Sequence, residues 1–552
     1  MLLILGLDGA TLDLVEPWAA DGTLPNLARL LRDGAWGRLA STMPAATFPS
    51  WTTFMTGVNP GRHGVFDFTR RDPGSYRVRF VNASFRKART VWRLLSDADR
   101  RVSVLGVPGT YPPEPINGYM ISGFDTPVTT HADASFVHPP EFAAEVERFG
   151  GFPFAEFQEF HIRPGWHARA ADSLCSGIER KTRLAESLLA RERWDCFMLM
   201  FGESDTAAHH FWSFHDPASP RYDAPGAAAL GNPLRRVYAA LDEAIGRLVA
   251  RVPGATVLVV SDHGFGGSGT TGMRLNRWLA QEGYLAFAAR GRRAQWAGRL
   301  RSAAVRAVPE RWQAPCFRAA GGRLASRVES GVRFSGIEWR GTRAFSEELN
   351  YFPAVWLNVH SRDDHGTVPV ARYQSLCDEI SERLLAWRDP VTRARVVRRV
   401  WQRDALYCGP HVGLAPDLVL DLETPGGYSY VGLPSYAQNG PALETLDAAM
   451  LSGGKLAGMS GSHRSDGLFV LAGAQVAPGM VQGAQIADMA PSIMALCGMP
   501  VPEQWDGRPV PCVAGGRRGE VMRDATSAAE VTYTAAEEAD LQQRLQQLGY
   551  LA

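Results

Sequence analysis

Short apolar runs alternate along this chain with stretches of helical periodicity, and this alternation limits the possible folds more than any other feature. The apolar runs predict buried strands at residues 2–7, 101–107, 196–201, 256–261, 417–420 and 468–471. Apolar residues at helical spacing predict helices at 24–33, 182–193, 235–251 and 373–386. This order is typical of βαβ units, in which helices connect parallel strands. The sequence therefore predicts an α/β fold built on a mainly parallel sheet.

The charge balance and the cysteines exclude several classes of protein. The 552 residues include 58 Lys plus Arg and 57 Asp plus Glu, so the chain lacks the basic excess that binding a nucleic acid polymer requires. The seven cysteines are scattered and form no C-x-x-C pair, which favours a reducing compartment. No apolar stretch reaches the roughly 18–20 residues that span a bilayer. We therefore expect a cytoplasmic protein without a transmembrane segment; its oligomeric state is not readable from the sequence.

One segment differs in composition from the rest of the chain. Residues 290–333 contain eleven Arg and two acidic residues, and apolar residues recur there at roughly helical spacing. The segment fits either a solvated helical insertion or a lid that contacts an anionic substrate or an acidic lipid surface. We therefore predict a core at 1–289, an Arg-rich insertion at 290–335, the rest of the core with an accessory α+β lobe at 336–515, and a tail with a short helix at 516–552.

Acidic and imidazole side chains cluster after the predicted strands. They are Asp8, Asp205, His209, Asp262 and His263, and a further histidine, His463, lies in a predicted Gly/Ser-rich loop at 458–467. The carboxyl ends of parallel strands meet at one edge of a sheet, where ligands bind. The i,i+4 spacing of Asp205 and His209 places both on one helical face. A mixed Asp/His set suits Zn²⁺ or Mn²⁺ better than Ca²⁺ or Mg²⁺.

Thr47 is a candidate anion-binding residue. It precedes Phe48 and Pro49, and proline is favoured at the first position of a helix. The Thr47 hydroxyl is therefore expected at a helix N-terminus, where free N–H groups favour a phosphate-like anion. The alternative is that Thr47 only caps the helix, a role that threonine performs well.

The order of these motifs resembles the alkaline phosphatase superfamily, in particular the type I phosphodiesterases/nucleotide pyrophosphatases and their bacterial phosphohydrolase relatives. The motifs are Asp8, Thr47-Phe48-Pro49, Asp205-x-x-x-His209, Asp262-His263-Gly264 and Gly461-Ser462-His463. The resemblance covers roughly residues 1–285 and 340–510 and is weakest over the Arg-rich insertion. It implies a large, mainly parallel central sheet with helices on both faces, interrupted by an inserted helical segment.

The resemblance also implies a two-metal mechanism. Asp205, His209 and His463 would hold one divalent ion, and Asp8, Thr47, Asp262 and His263 would hold the other, with Zn²⁺ favoured and Mn²⁺ possible. Two ions about 4 Å apart can clamp the attacking and leaving oxygens of a displacement at phosphorus. Metal coordination is one way to activate a threonine hydroxyl. Thr47 would form a phosphothreonine intermediate, which water then hydrolyses, and the substrate would be a small phosphodiester or nucleotide.

One departure weakens the assignment to nucleotide substrates. Nucleotide pyrophosphatases carry an Asn that holds a phosphate oxygen twenty-one residues after the nucleophile, and Phe68 stands there in this chain. The contact must then come from Asn82, Arg62 or a backbone N–H. Sulfatases are disfavoured because position 47 carries neither of the residues, Cys or Ser, that can become formylglycine. A phosphomutase, a phosphomonoesterase and a non-catalytic metal-bearing binding protein remain alternatives.

Overall fold

The computed structural model describes residues 1–126, 134–154, 165–288, 334, 336–348, 352–451 and 458–513, together with 518, 519, 533, 537 and 541. The predicted insertion at 290–335 lies outside these residues apart from Phe334, and so does most of the tail at 516–552. The structure of both segments therefore stays a prediction. Within the described part of the chain, no helix combines the length and the apolar character needed to cross a membrane.

A mixed sheet of ten strands occupies the centre of the described chain, and it is mainly parallel, as predicted. In spatial order its strands are Gly479–Met480, Ala35–Ala40, Asp466–Ala472, Thr256–Val260, Leu2–Leu7, Cys196–Phe201, Val102–Val107, Gly118–Ser122 and Val137–His138, and Ala484–Gln485 also pairs with Ala35–Ala40. The five strands from Thr256–Val260 to Gly118–Ser122 are parallel to one another. Their carboxyl ends therefore lie along one edge.

Helices cover both faces of this sheet, which confirms the predicted fold class. In strand Leu2–Leu7 the odd-numbered leucines pack into one apolar layer and Leu2 and Ile4 into the other. The first layer contains the helices Leu12–Ala20, Pro25–Asp33, Trp166–Arg191, Glu203–His215 and Pro233–Arg251. The second contains the helices Thr47–Thr56, Val91–Asp97 and Met489–Leu496. A strand buried on both faces must be apolar throughout, which is why these runs were readable.

A second sheet lies apart from the central one. Its antiparallel strands, in order, are Ala344–Phe345, Ala354–Leu357, Leu418–Leu422 and Val397–Gln402. They share a core with the helices Leu275–Gln281 and Tyr373–Ala386. The strand predicted at 417–420 is confirmed as Leu418–Leu422, and it belongs to this second sheet. The domain limits stay a prediction.

A third sheet is built around one long strand, Gly264–Met273. Strand Gly264–Met273 pairs with Ser429–Gly432, Leu443–Thr445 and Gly461–Arg464. Shorter elements fill the connections: Pro60–His63, Thr69–Arg71, Val78–Phe80, Ala143–Arg148, Ala224–Leu230, Arg403–Leu406, Ala448–Leu451, Val501–Pro502 and Arg518–Gly519. Through this sheet, a late segment of the chain reaches the edge of the central sheet.

Most predicted boundaries agree with the structure to within two residues, and one does not. The helix predicted at 182–193 is Trp166–Arg191 and begins sixteen residues earlier. Its buried stripe continues backwards through Ile178, Leu174 and Ala170 at helical spacing. In the first half of this helix, small and charged residues interrupt the apolar periodicity, so the sequence pattern did not predict that half.

Candidate metal centre

The structure brings all seven predicted site residues together at the carboxyl edge of the central sheet. Asp8 follows Leu2–Leu7, and Asp262 and His263 follow the neighbouring strand Thr256–Val260. On the other side of Leu2–Leu7, strand Cys196–Phe201 leads into the helix that carries the predicted pair Asp205 and His209. The seven side chains are buried, and the most exposed of them retains 4% of its accessible surface. Residues far apart in sequence thus share one enclosed space.

His463 reaches this space from strand Gly461–Arg464, where it lies opposite Phe265. The prediction of a loop at this position is wrong. Glycine and serine favour loops in isolation, but here the glycine permits close packing: a Cβ at Gly461 would lie 2.2 Å from the Ala208 carbonyl oxygen. The small residue lets the strand approach the helix that carries His209, so the two imidazoles can meet.

Thr47 is the first residue of helix Thr47–Thr56, and Ala46 occupies the cap position. The alternative in which Thr47 caps the helix is therefore wrong. The Thr47 side chain is fully buried, and its Oγ1 lies 3.5 Å from Nε2 of His263. The first N–H groups of a helix have no acceptor within it, and they favour a bound anion together with the helix dipole. The hydroxyl thus lies between imidazole and an anion-binding helix end.

The three imidazoles are held in one tautomer by backbone carbonyls. Each Nδ1 lies 3.1 Å from a carbonyl oxygen, with the pairs His209 to Gly461, His263 to Gly264 and His463 to Ala45. A carbonyl oxygen only accepts, so Nδ1 carries the proton and Nε2 presents its lone pair to the shared space. Burial lowers the pKa of each of these imidazoles to about 3. Neutral imidazole with an oriented Nε2 is the form that binds metals.

The ligand atoms form two adjoining groups. Nε2 of His209 lies 3.5 Å from Asp205 Oδ1 and 3.1 Å from Nε2 of His463, which itself is 3.4 Å from that carboxylate oxygen. Nε2 of His263 lies 3.5 Å from Asp8 Oδ1 and 3.4 Å from Asp262 Oδ2. His263 is also close enough to Asp205 and His463 to belong to the first group. The two groups are adjacent, and the assignment of each residue to one ion stays a prediction.

The electrostatics of the carboxylates fit bound cations. Burial, followed by the charges of Asp262 and Asp205, raises the pKa of Asp8 well above its usual range. Burial raises the pKa of Asp262 to about 8. Among the described residues, Asp8 Oδ1 and Asp262 Oδ2 are buried without a hydrogen-bond partner. Buried carboxylates are normally paired or coordinated to metal, so these residues fit an Asp/His site for divalent cations.

Two supporting residues were not predicted. The Trp51 indole N–H donates to Asp8 Oδ2 at 3.4 Å, and the Gly9 N–H donates to Asp262 Oδ1 at 3.2 Å. Trp51 lies four residues after Thr47 on the same helix, so its orientation towards the site was readable from the spacing. Gly9 has φ +64°, and a Cβ there would lie 2.8 Å from the Phe265 ring. Only glycine suits that position, but a single glycine carries no such signal in the sequence.

Phe68 packs against Phe48, with 4.5 Å between the ring centroids. Of the suggested replacements for the missing Asn, Asn82 accepts hydrogen bonds from the Ser84 amide and hydroxyl, and Arg62 forms an ion pair with Asp506. Both side chains thus have structural contacts of their own. This leaves the backbone N–H groups at the start of helix Thr47–Thr56 as the donors best placed for a phosphate oxygen.

Comparison with known families agrees with this geometry. Residues 2–440 match the model of the family described as type I phosphodiesterase / nucleotide pyrophosphatase. The chain belongs to this family. Type I phosphodiesterases/nucleotide pyrophosphatases are divalent-metal-dependent phosphohydrolases, so the chain is a metal-dependent phosphohydrolase and the non-catalytic alternative is wrong. No curated protein matches the sequence.

Solved structures show the same fold at low sequence identity. Phosphonoacetate hydrolase from Sinorhizobium meliloti 1021 in complex with phosphonoformate has a TM-score of 0.53 and 15% identity, and the alignment covers 90% of this chain and 95% of that one. Its complex with phosphonoacetate gives 0.52 and 14%, with the same coverage. Human ectonucleotide pyrophosphatase / phosphodiesterase 5 gives 0.46 and 12%, with coverage of 92% and 96%. The first two support the alkaline phosphatase-like fold of this family member.

Proposed function

We propose that this chain is a two-metal-dependent phosphoric ester hydrolase of the phosphodiesterase/nucleotide pyrophosphatase type, with Thr47 as its nucleophile. The observation that carries the proposal is the position of the Thr47 hydroxyl. It is fully buried at the start of a helix, 3.5 Å from Nε2 of His263 and beside two adjoining groups of Asp and His ligands. A hydroxyl in such a place can attack a phosphorus atom whose oxygens face cations and backbone N–H groups.

The ligand sets follow the family pattern. Asp205, His209 and His463 would hold one ion, and Asp8, Thr47, Asp262 and His263 would hold the other. The mixture of carboxylate and imidazole favours Zn²⁺, with Mn²⁺ as the second choice. When bound, the cations neutralise the phosphoryl charge and favour the ionised form of a hydroxyl beside them.

The residues of the chain would perform the following steps. The Thr47 oxygen loses its proton and forms a bond to phosphorus, while the bond from phosphorus to the leaving oxygen breaks and that oxygen gains a proton. A water oxygen then attacks the phosphothreonine, and Thr47 recovers its hydroxyl. The first-turn N–H of Phe48 would donate to a phosphoryl oxygen as charge develops there. Trp51 would hold the Asp8 carboxylate through the indole N–H.

A substrate panel tests the type of reaction. The purified chain with added Zn²⁺ or Mn²⁺ is given an aryl phosphodiester, the matching monoester and a nucleotide pyrophosphate. We expect the diester and the pyrophosphate to be cleaved faster than the monoester, and acid quenching to trap the phosphoryl group, with its retained alcohol or nucleoside still attached, on the peptide that contains Thr47. A preference for the monoester would favour the phosphomonoesterase alternative. An isomerised substrate with no net release of phosphate or alcohol would favour the phosphomutase. Turnover without a phosphothreonine would refute the nucleophile.

The cytoplasmic location is also a proposal. Cys175, Cys196, Cys377, Cys408, Cys497 and Cys512, the cysteines that the structure describes, are free thiols. This supports a reducing compartment, where thiols do not form disulfides. Fractionation of cells that produce the protein would test it, and recovery outside the cytoplasmic fraction would contradict it.

A further inference from the structure

A short hairpin with basic flanks and an exposed apolar tip precedes the edge strand of the second sheet, and its two arms pair through an antiparallel bridge between Arg388 and Arg395. We call residues 388–400 the basic hairpin; it leads into the edge strand Val397–Gln402. Its exposed arginines are Arg388, Arg393, Arg395, Arg398 and Arg399. The only acidic residue within 388–400 is Asp389, which is buried. Val391, at the tip, retains 86% of its accessible surface, the largest exposure of any large hydrophobic side chain that the structure describes.

The tip has a defined backbone conformation. Asp389 Oδ1 accepts hydrogen bonds from the N–H groups of Val391 and Thr392, both at 2.8 Å, and its carbonyl accepts from the Arg393 N–H at 2.9 Å. Arg393 has φ +62°, which costs less for glycine or asparagine than for a long side chain. Arg393 adopts this unfavourable conformation, and the Val391 side chain two residues away is exposed to water. This combination indicates that the side chains at the tip contact a partner outside the chain.

Asp389 offsets only part of the positive charge at the tip. Lower on the hairpin, Arg398 pairs with Glu423 at 3.3 Å, and Arg399 lies opposite Asp421 in the sheet. Arg393 and Arg395 form no ion pair with any residue in the described ranges. Residues 388–395 therefore contain three arginines and one acid, and the tip combines an exposed aliphatic side chain with two guanidinium groups that form no ion pair in the described part of the chain.

We propose that the basic hairpin docks this enzyme on an anionic phospholipid surface. Val391 would enter the headgroup region, where an exposed aliphatic side chain leaves water, and Arg393 and Arg395 would contact lipid phosphates. Guanidinium binds phosphate oxygens in a bidentate manner, and an anionic membrane attracts basic side chains close to its surface. A nucleic acid would use the arginines but would not explain a valine at the apex. The proposal does not depend on the proposed ester hydrolysis.

Vesicle sedimentation with the full chain tests the proposal. One set of vesicles contains phosphatidylcholine alone and the other contains phosphatidylcholine with one quarter phosphatidylglycerol. We expect binding only to the anionic vesicles, and weaker binding as salt is added. Val391→Asp and the double variant Arg393→Glu with Arg395→Glu should each reduce vesicle affinity at least tenfold.

Matched controls separate the hairpin from general charge effects. Arg29 and Arg148 are exposed on helices outside the second sheet, and Met480 is 61% exposed at the edge of the central sheet. The double variant Arg29→Glu with Arg148→Glu changes the net charge by as much as the hairpin double variant. Met480→Asp replaces an exposed apolar side chain by a carboxylate, as Val391→Asp does. Both control variants should bind vesicles like the wild type. All variants should keep the wild-type Tm and the wild-type rate with a soluble substrate. The proposal is overturned if the wild type does not bind anionic vesicles, or if the hairpin variants bind them as well as the wild type does. Binding of the full chain to single-stranded RNA but not to the vesicles would also overturn it.

Discussion

The hydroxyl of Tyr407 donates a hydrogen bond of 2.7 Å to the carbonyl oxygen of Met43. Met43 lies in the loop that leads into Thr47, and the Ala45 carbonyl of the same loop accepts from His463. Tyr407 is buried, and its ring meets Phe66 edge-on with 5.0 Å between the centroids. Tyr407 follows the edge strand of the second sheet, so this hydrogen bond joins that part of the chain to the loop of the nucleophile.

Tyr407→Phe removes this hydrogen bond and keeps the ring. A buried hydrogen bond is worth about 1 kcal/mol, so we expect kcat to fall by up to about fivefold with little change in KM or metal content. Tyr373→Phe is the matched control, because its hydroxyl donates to Asp417 at 2.8 Å in the same region. It should keep the wild-type kcat. Equal effects of the two variants on kcat would contradict a specific role of Tyr407 in positioning the loop.

Thr47→Ala should abolish turnover, with a loss on the order of 10⁴ to 10⁶ in kcat, as for the removal of other nucleophiles. Metal content should change little, because the carboxylate and imidazole ligands remain. Thr56→Ala is the control on the same helix, where it removes a buried hydroxyl that donates to the Thr52 carbonyl at 2.6 Å. Kinetics and elemental analysis check both variants. Activity in the Thr47 variant would show that another group attacks phosphorus.

Asp262→Asn should affect one ion more than the other. It lowers the crowding of buried negative charge, so we expect a higher Tm for the metal-free protein and a smaller rise in Tm when Zn²⁺ is added. Asn keeps an oxygen that can accept from Gly9. Asp205→Asn should deplete the other ion. Metal-to-protein ratios at increasing Zn²⁺ give the occupancies, and equal loss at both sites in either variant would contradict the proposed partition.

Asp417 should make the second sheet sensitive to acid. This fully buried carboxylate accepts from both terminal nitrogens of Arg362 at 2.7 and 2.8 Å and from the Leu357 N–H at 2.7 Å. Burial alone raises the pKa of this carboxyl, but the hydrogen bonds and charge of Arg362, with the charge of Arg403, outweigh burial and lower it below the usual 3.8. A lowered folded-state pKa stabilises the fold above pH 3.8, and this contribution is lost as pH falls through the folded-state value.

Asp417→Asn should therefore cost about 2–3 kcal/mol at neutral pH, because it removes the ionised acceptor of the Arg362 guanidinium, which is partly exposed and keeps its contact with Asp363 at 3.3 Å. Urea unfolding between pH 7 and pH 3 measures the difference from the wild type, which should shrink at the acidic end. A difference that stays constant with pH would contradict the role of the ionised carboxylate.

The central strands could be predicted because strands such as Leu2–Leu7 are buried on both faces and are apolar at every position. The ligands that directly follow these strands could also be predicted, because the carboxyl ends of parallel strands lie at the edge of the sheet where ligands bind. The placement of strand Leu418–Leu422 in a second sheet could not, because pairing partners depend on contacts far away in sequence. The strand of His463 was missed because its glycine and serine favour loops locally, and the pairing with Gly264–Met273 overrides that preference.

The strand Gly461–Arg464 makes the proposed metal centre depend on a pairing between distant segments of the chain. On the proposed ligand set, Asp8 precedes His463 by more than 450 residues, and His463 lies in a strand whose partner begins at Gly264. Pairings between such distant segments form slowly. The proposed centre is therefore complete only after strand Gly461–Arg464 has been synthesised and has paired with Gly264–Met273.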